Sequence, residues 1–294
     1  MRPEWLALVA AACWAASSLF SAPPAQRLGA IAFSRWRMLF ASVILWSLAL
    51  VTGGWRSLDT AALLLLGLSG GIGIFIGDTA LFACMNRLGP RRSGVLFATH
   101  ALFSAVLAWL FLSETIRGWA LVGSVLLISG VMMAVLWGKR EDESHHWEQT
   151  RGALVIGVAL GLLAALCQSV ATLMLKPLMS TGIDAVAASA MRMTVALAAH
   201  GLLWSSGWTP ARAKAEVRWQ DAALTCLSAA VAMALGMTLI LRAMRDGQAG
   251  LVAIFSSVTP VLLLPLLWLV YRRRPAHAAW LGAAMAVMGT SLIL

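Results

Sequence analysis

Charged residues are scarce in this chain. They make up 12% of its 294 residues, against about 25% in a soluble globular domain. With 61% hydrophobic residues beside that shortage, a water-soluble enzyme or binding domain is excluded and a polytopic membrane protein is indicated. Long polar runs are missing as well, so no separate soluble domain is expected. The four cysteines, Cys13, Cys84, Cys167 and Cys226, all fall in apolar stretches and none has a CxxC spacing. Neither a disulfide framework nor a zinc site follows, and no cofactor is indicated. There is no GxxxxGK[ST] loop to hold ATP, and no HExxH or GxSxG motif to support an embedded enzyme. The net charge of +10 would suggest nucleic acid in a soluble chain. Here the Lys and Arg lie between apolar segments, where they read as topology signals and lipid headgroup contacts. No nucleic-acid partner is expected.

What is present is apolar length. Ten segments approach the roughly 20 residues that a bilayer crossing needs: about 4–22, 29–52, 60–86, 93–112, 118–137, 152–175, 183–206, 219–243, 248–270 and 276–294. The amino-terminal stretch superficially resembles a signal peptide, but a retained first helix preserves the symmetry described next. The longest connection, residues 139–151, carries four carboxylates and divides the chain into five segments and five.

A constant offset of 159 positions sets Gly77 on Gly236, Thr79 on Thr238, Met85 on Met244, Trp109 on Trp268, Gly123 on Gly282 and Gly130 on Gly289. This is an internal duplication. An odd number of helices per copy makes the second enter the membrane from the opposite face, and such inverted repeats place a solute site at their interface near mid-bilayer. The expected fold is an all-α membrane protein: ten transmembrane helices as two inverted five-helix repeats, residues 1–138 and 152–294, joined by the polar linker 139–151.

Several residues carry a specific likeness. Arg37-Met38 and Arg192-Met193 place an arginine in the second helix of each half. The run AVLAWLFLSETIRGWALVGSVLLISGV closes the fourth helix on Glu114, and GDTALFACMNRLGP spans residues 77–90. Together these resemble the EamA type of the drug/metabolite transporter (DMT) superfamily over nearly the whole chain. The chain departs from that pattern twice: Ala101 replaces the usual fourth-helix proline, which survives only as Pro260, and Arg273 replaces the second-half glutamate. The resemblance implies solute translocation by alternating access in a bacterial-type inner (plasma) membrane, with the termini in the cytoplasm. The charge count argues the reverse, because the face opposite the termini carries most of the Lys and Arg.

Ionisable groups inside a membrane normally face protein or a watery cavity and pair with one another. By helix rise, Arg37, Asp78 and His100 sit at a common depth, roughly 10–13 Å below one face. They form a candidate cluster in which Asp78 is the proton-coupling carboxylate and Arg37 and His100 bind substrate. A structural Arg37–Asp78 pair with His100 as a core residue is the alternative. Met237 and Thr259 stand at the second-half positions of Asp78 and His100, so the cluster is not duplicated. Arg192 mirrors Arg37 at a depth near Thr238, and both are candidate substrate contacts, suited to a carboxylate-bearing solute. Arg35 lies roughly 200° round the helix from Arg37 and faces elsewhere.

Trp14, Phe82 and Phe97 are candidate cavity-lining aromatics, with packing as the competing role. Ser17 in the first segment, at a place corresponding to Gln168 and Thr172 in the sixth, is a candidate polar contact. Trp5, Trp55, Trp119, Trp137, Trp147, Trp208 and Trp219 read as an interfacial belt. Glu114 is expected near the start of the fifth helix, complementing its dipole. The functional expectation is a secondary-active exporter of a small metabolite, amino-acid-like compound or drug, with protons as the candidate coupling ion. A lipid flippase on the same fold and a membrane-embedded enzyme are the alternatives. The expected partners are the small-molecule substrate and the lipid bilayer, with either a monomer or a homodimer compatible.

Overall fold

The computed structural model describes residues 2–136, 153–271 and 277–293. The expected linker 139–151, Trp137, Trp147 and Arg272 to Arg274 lie outside the described residues. In chain order the helices are α1 (Pro3–Leu28), α2 (Ala30–Thr52), α3 (Thr60–Gly89), α4 (Arg92–Leu112), α5 (Trp119–Leu136), α6 (Leu154–Ser180), α7 (Ala185–Ser205) and α8 (Trp219–Asp246). Two more follow: α9, in the pieces Ala249–Ser256 and Thr259–Tyr271, and α10 (His277–Ile293). Among the described residues seven of them, α1 to α4 and α6 to α8, are long and apolar enough to cross a membrane. The other three, α5, α9 and α10, are apolar as well, over Trp119–Met133, Ala249–Leu263 and His277–Ile293 among the described residues.

Local sequence explains the boundaries. Pro3 opens α1, where a missing N–H is harmless, and Gly29, at a φ of 88°, ends it. The Asp59 and Asp184 carboxylates accept backbone N–H groups at the first turns of α3 and α7, from Ala62 (2.7 Å) and Ala187 (2.8 Å). The outer surface is apolar: Val51, Phe111, Val155 and Leu269 are each more than 70% exposed, which suits lipid rather than water. Trp5, Trp55, Trp119, Trp208 and Trp219 are exposed near helix ends, as an interfacial belt requires.

The packing repeats itself. Helix α1 of the first half packs on α8 and α9 of the second, while α6 packs on α3 and α4; α2 lies on α7, and α5 on α10. These pairings exchange under an inverted two-fold relation. The α5–α10 crossing shows its cause. A Cβ on Gly123 would lie 2.6 Å from the Gly289 carbonyl oxygen, and one on Gly130 would lie 2.5 Å from that of Gly282. Only glycine permits backbones that close.

Two features were not expected from the sequence. In α3, residues Gly70–Asp78 wind as a π-helix, and in α8 residues Ala229–Gly236 do the same, at the equivalent place. Each wide turn packs tightly on a helix of the other half. Gly73 leaves room for Ala171 of α6, and Gly236 leaves room for the Trp14 indole of α1. Equivalent serines anchor both segments: Ser69 donates to the Ala171 carbonyl (2.7 Å), and Ser228 bonds Ser17 (3.0 Å) and Ser21 (2.7 Å).

The second feature corrects the position of Glu114. Its carboxylate does not serve the start of α5. It reaches across to the other half and accepts the N–H groups of Ala249 (2.9 Å) and Gly250 (3.1 Å) at the start of α9. Those N–H groups have no partner within their own helix, and the positive end of the α9 dipole faces them.

Candidate functional site

Both α4 and α9 are interrupted in their first halves, at equivalent positions around Thr99 and Ser257-Val258. In α9, Pro260 removes an N–H from the ladder, and the Thr259 hydroxyl donates to the Ser256 carbonyl at 2.8 Å. Helix α4 has no proline there. Instead the Thr99 hydroxyl donates to the Leu96 carbonyl (2.6 Å), while the Ser169 hydroxyl of α6 donates to the His100 carbonyl (2.8 Å). Local hydroxyl bonds of this kind compete with the helix.

A narrow cleft lies beside the two breaks, where the halves meet. Trp14 of α1, His100 and Ser104 of α4, Gln168 and Thr172 of α6, Ile240 of α8, and Val252, Ala253 and Ser256 of α9 line it. Its free space is about that of a single water molecule. The Gln168 amide donates to the Thr172 hydroxyl (3.2 Å), which in turn donates to the Gln168 carbonyl (2.7 Å). Trp14 is held by donation from its indole N–H to the Ala232 carbonyl within the second π segment (3.1 Å). The His100 ring lies 5.1 Å from that of Phe97. Aromatic, imidazole, amide and hydroxyl groups therefore converge on one space.

Arg37 and Asp78 form a separate buried pair. One guanidinium nitrogen of Arg37 donates to both carboxylate oxygens of Asp78, each at 3.1 Å. The guanidinium carbon lies 5.0 Å from the Phe82 ring centroid and 5.9 Å from that of Phe33. His100 does not join the pair, because equal depth leaves the direction round the helix open and its ring turns to the cleft. Neither Arg37 nor Asp78 lines that cleft. A path of contacts still connects the two places. Gly77, next to Asp78, would bring a Cβ within 3.0 Å of the Cys167 Cβ, and Cys167 precedes Gln168 of the cleft wall.

Arg192 is fully buried on α7, and its side-chain nitrogens make no hydrogen bond to an acceptor among the described residues. Its head lies against Gly73 of the first π segment. The Thr238 hydroxyl donates to that of Ser189 (3.2 Å), tying α8 to α7 one turn from Arg192. Ser17 is occupied with Ser21 and Ser228, away from the cleft wall. Arg35 turns to the 208–211 connection, where it donates to the Ala211 carbonyl (2.8 Å) and lies over the Trp204 ring.

Sequence reasoning passed over Ser104, although it lies one turn after His100 and must share its face. It also missed His200, buried with Nε2 3.2 Å from the Thr79 hydroxyl and its ring against Phe75. No periodic pattern marks a single histidine of that kind.

Comparison with known proteins fits the geometry. None of the curated proteins matches the chain. Among solved structures, 27 chains match. One crystal structure aligns with a TM-score of 0.75 at 16% identity, over 99% of this chain and 96% of its own. That likeness concerns the fold. A sequence profile described as the EamA-like transporter family matches residues 1–136 and again 155–294. With an inverted pair of helical repeats and a family match over both halves, this chain is a member of the EamA-like transporter family.

Proposed function

We propose that the protein is a secondary-active carrier, working as an exporter, that moves a small polar or amphipathic solute through the cleft between its halves. The observation that carries this reading is the composition of the cleft wall. Trp14, His100, Ser104, Gln168, Thr172 and Ser256 come from both repeats and meet beside the breaks in α4 and α9. Interrupted helices at a repeat interface are where inverted-repeat carriers bind their solutes. Rocking of the halves about the breaks would open the cleft to one face and then the other, as alternating access requires.

Asp78 is the proton-coupling group in this reading. A proton on its carboxylate removes the charge that holds Arg37 and frees the guanidinium, at the end of a π segment packed on the helix that carries Gln168. The coupling route is thus a chain of direct contacts. His100 and Trp14 contact the solute, with Phe97 backing His100. Phe82 supports Arg37.

A thermal-unfolding screen of the purified protein tests this against amino acids, organic acids, nucleobases, polyamines and cationic drugs, at mildly acid and at alkaline pH. A ligand at a hundred times its Kd adds about 2.7 kcal/mol to apparent stability. The expected hit loses its effect in His100→Ala and Gln168→Ala, and loses its pH dependence in Asp78→Asn. A hit that both cleft variants bind unchanged would place the solute elsewhere.

A further inference from the structure

The two arginines repeated between the halves have different surroundings. Arg37 is paired with Asp78 on the next helix of its own half. Arg192 occupies the equivalent place on α7, but Met237 stands on α8 where the carboxylate would be. Met237 is buried and shares a cluster with Met193, while Thr238 bonds Ser189, so α7 and α8 are in contact at this level. Arg192 is 0% exposed, and its Nε and both terminal nitrogens make no hydrogen bond among the described residues. A buried guanidinium in hydrocarbon is expensive without a counter-charge. Its neighbours on α3 and α6 supply none: Gly73 and Ala171 present a backbone and a methyl group.

We infer that Arg192 is the binding group for a small monovalent anion, which takes the part in the second half that Asp78 takes in the first. The ligand class is a carboxylate or an ion of similar charge and size. A guanidinium grips a carboxylate through paired N–H donors. One guanidinium balances a single negative charge, and close neighbours disfavour a bulky ion: a Cβ on Gly73 would already lie 3.2 Å from one Arg192 nitrogen. The assignment goes beyond the cleft reading and stands without it, because neither Arg192 nor Gly73 lines the cleft.

The test is the anion dependence of thermal unfolding for the full-length protein, Arg192→Gln and Met237→Asp, each titrated with sodium chloride, sodium formate and amino acids. General salt effects move all three proteins alike. Bound anion is expected to raise the wild-type midpoint by about 3 °C or more beyond either variant. Met237→Asp supplies an internal carboxylate and should behave like Arg192→Gln. If it fails to fold, Arg192→Lys, which keeps the charge and should keep a weaker response, replaces it. Response to chloride and formate supports a free ion as the occupant; response to amino acids alone supports the carboxylate of a carried solute. Equal responses in wild type and Arg192→Gln overturn the assignment. His100→Ala should keep the wild-type anion response, which separates this result from failure of the cleft reading.

Discussion

Replacing Asp78 by alanine should destabilise the protein by about 3 kcal/mol. Arg37 is 5% exposed, and in the variant its charge would remain in place without the carboxylate that accepts from it at 3.1 Å. Removing one partner of a buried ion pair costs about 3–5 kcal/mol, most of it the penalty for the charge left behind. The Phe82 and Phe33 rings face the guanidinium with or without Asp78, so the charge left behind is not wholly uncompensated and the loss falls at the low end of that range. Asp78→Asn keeps an acceptor oxygen and should lose about 1–2 kcal/mol. The double variant Arg37→Met with Asp78→Leu removes both charges, and should be more stable than Asp78→Ala alone.

The assay is thermal unfolding in detergent, followed on purified protein, with Arg192→Met as an internal contrast. In buffer without a small anion, Arg192 has no partner among the described residues to abandon, so its removal should leave the midpoint unchanged or raise it. The reasoning would be refuted if Asp78→Ala unfolded at the wild-type midpoint. It would also fail if the double variant lost as much as Arg37→Met and Asp78→Leu made singly and summed, since coupled partners cannot be additive.

Three further outcomes follow from contacts elsewhere. Glu114→Ala removes both acceptors at the start of α9 and should lower stability by about 1–2 kcal/mol, with Glu114→Gln losing roughly half as much, read from the same melts. Gly123→Leu drives a side chain into the Gly289 backbone and should part α5 from α10, seen as a lower midpoint and reduced yield of folded protein. Trp14→Phe deletes the donation to Ala232 and should lower stability by about 1 kcal/mol while weakening any ligand found for the cleft.

How much of this was legible beforehand depended on what each feature leaves in the sequence. Helices and their inverted repetition were readable because apolar length and spaced identities are local, additive signals. The glycines of the α5–α10 crossing belonged to the repeat itself, Gly123 on Gly282 and Gly130 on Gly289. The π segments were not readable, because one extra residue per turn changes neither composition nor polarity. Depth alone put His100 with Arg37 and Asp78; azimuth separated them, and the α4 break that turns His100 to the cleft is made by Thr99 rather than by proline. Glu114 was assigned to the nearest helix start in sequence, whereas the start it caps lies in the other half. Long-range capping has no periodicity to betray it.

The deeper asymmetry concerns charge rather than backbone. The two π segments, the two anchoring serines and the two helix breaks repeat, so both halves possess the same mechanical parts. The arginines repeat but their ionisable companions do not: Asp78 corresponds to Met237, and His100 to Thr259. A carrier that rocks between two states needs similar hinges on both sides, because the two states are images of each other. It needs dissimilar charges, because a coupling ion and a solute must bias those states differently, and a ligand that interacts equally with both shifts neither. The buried charged residues that broke the duplication are therefore where substitution should change transport without removing the fold.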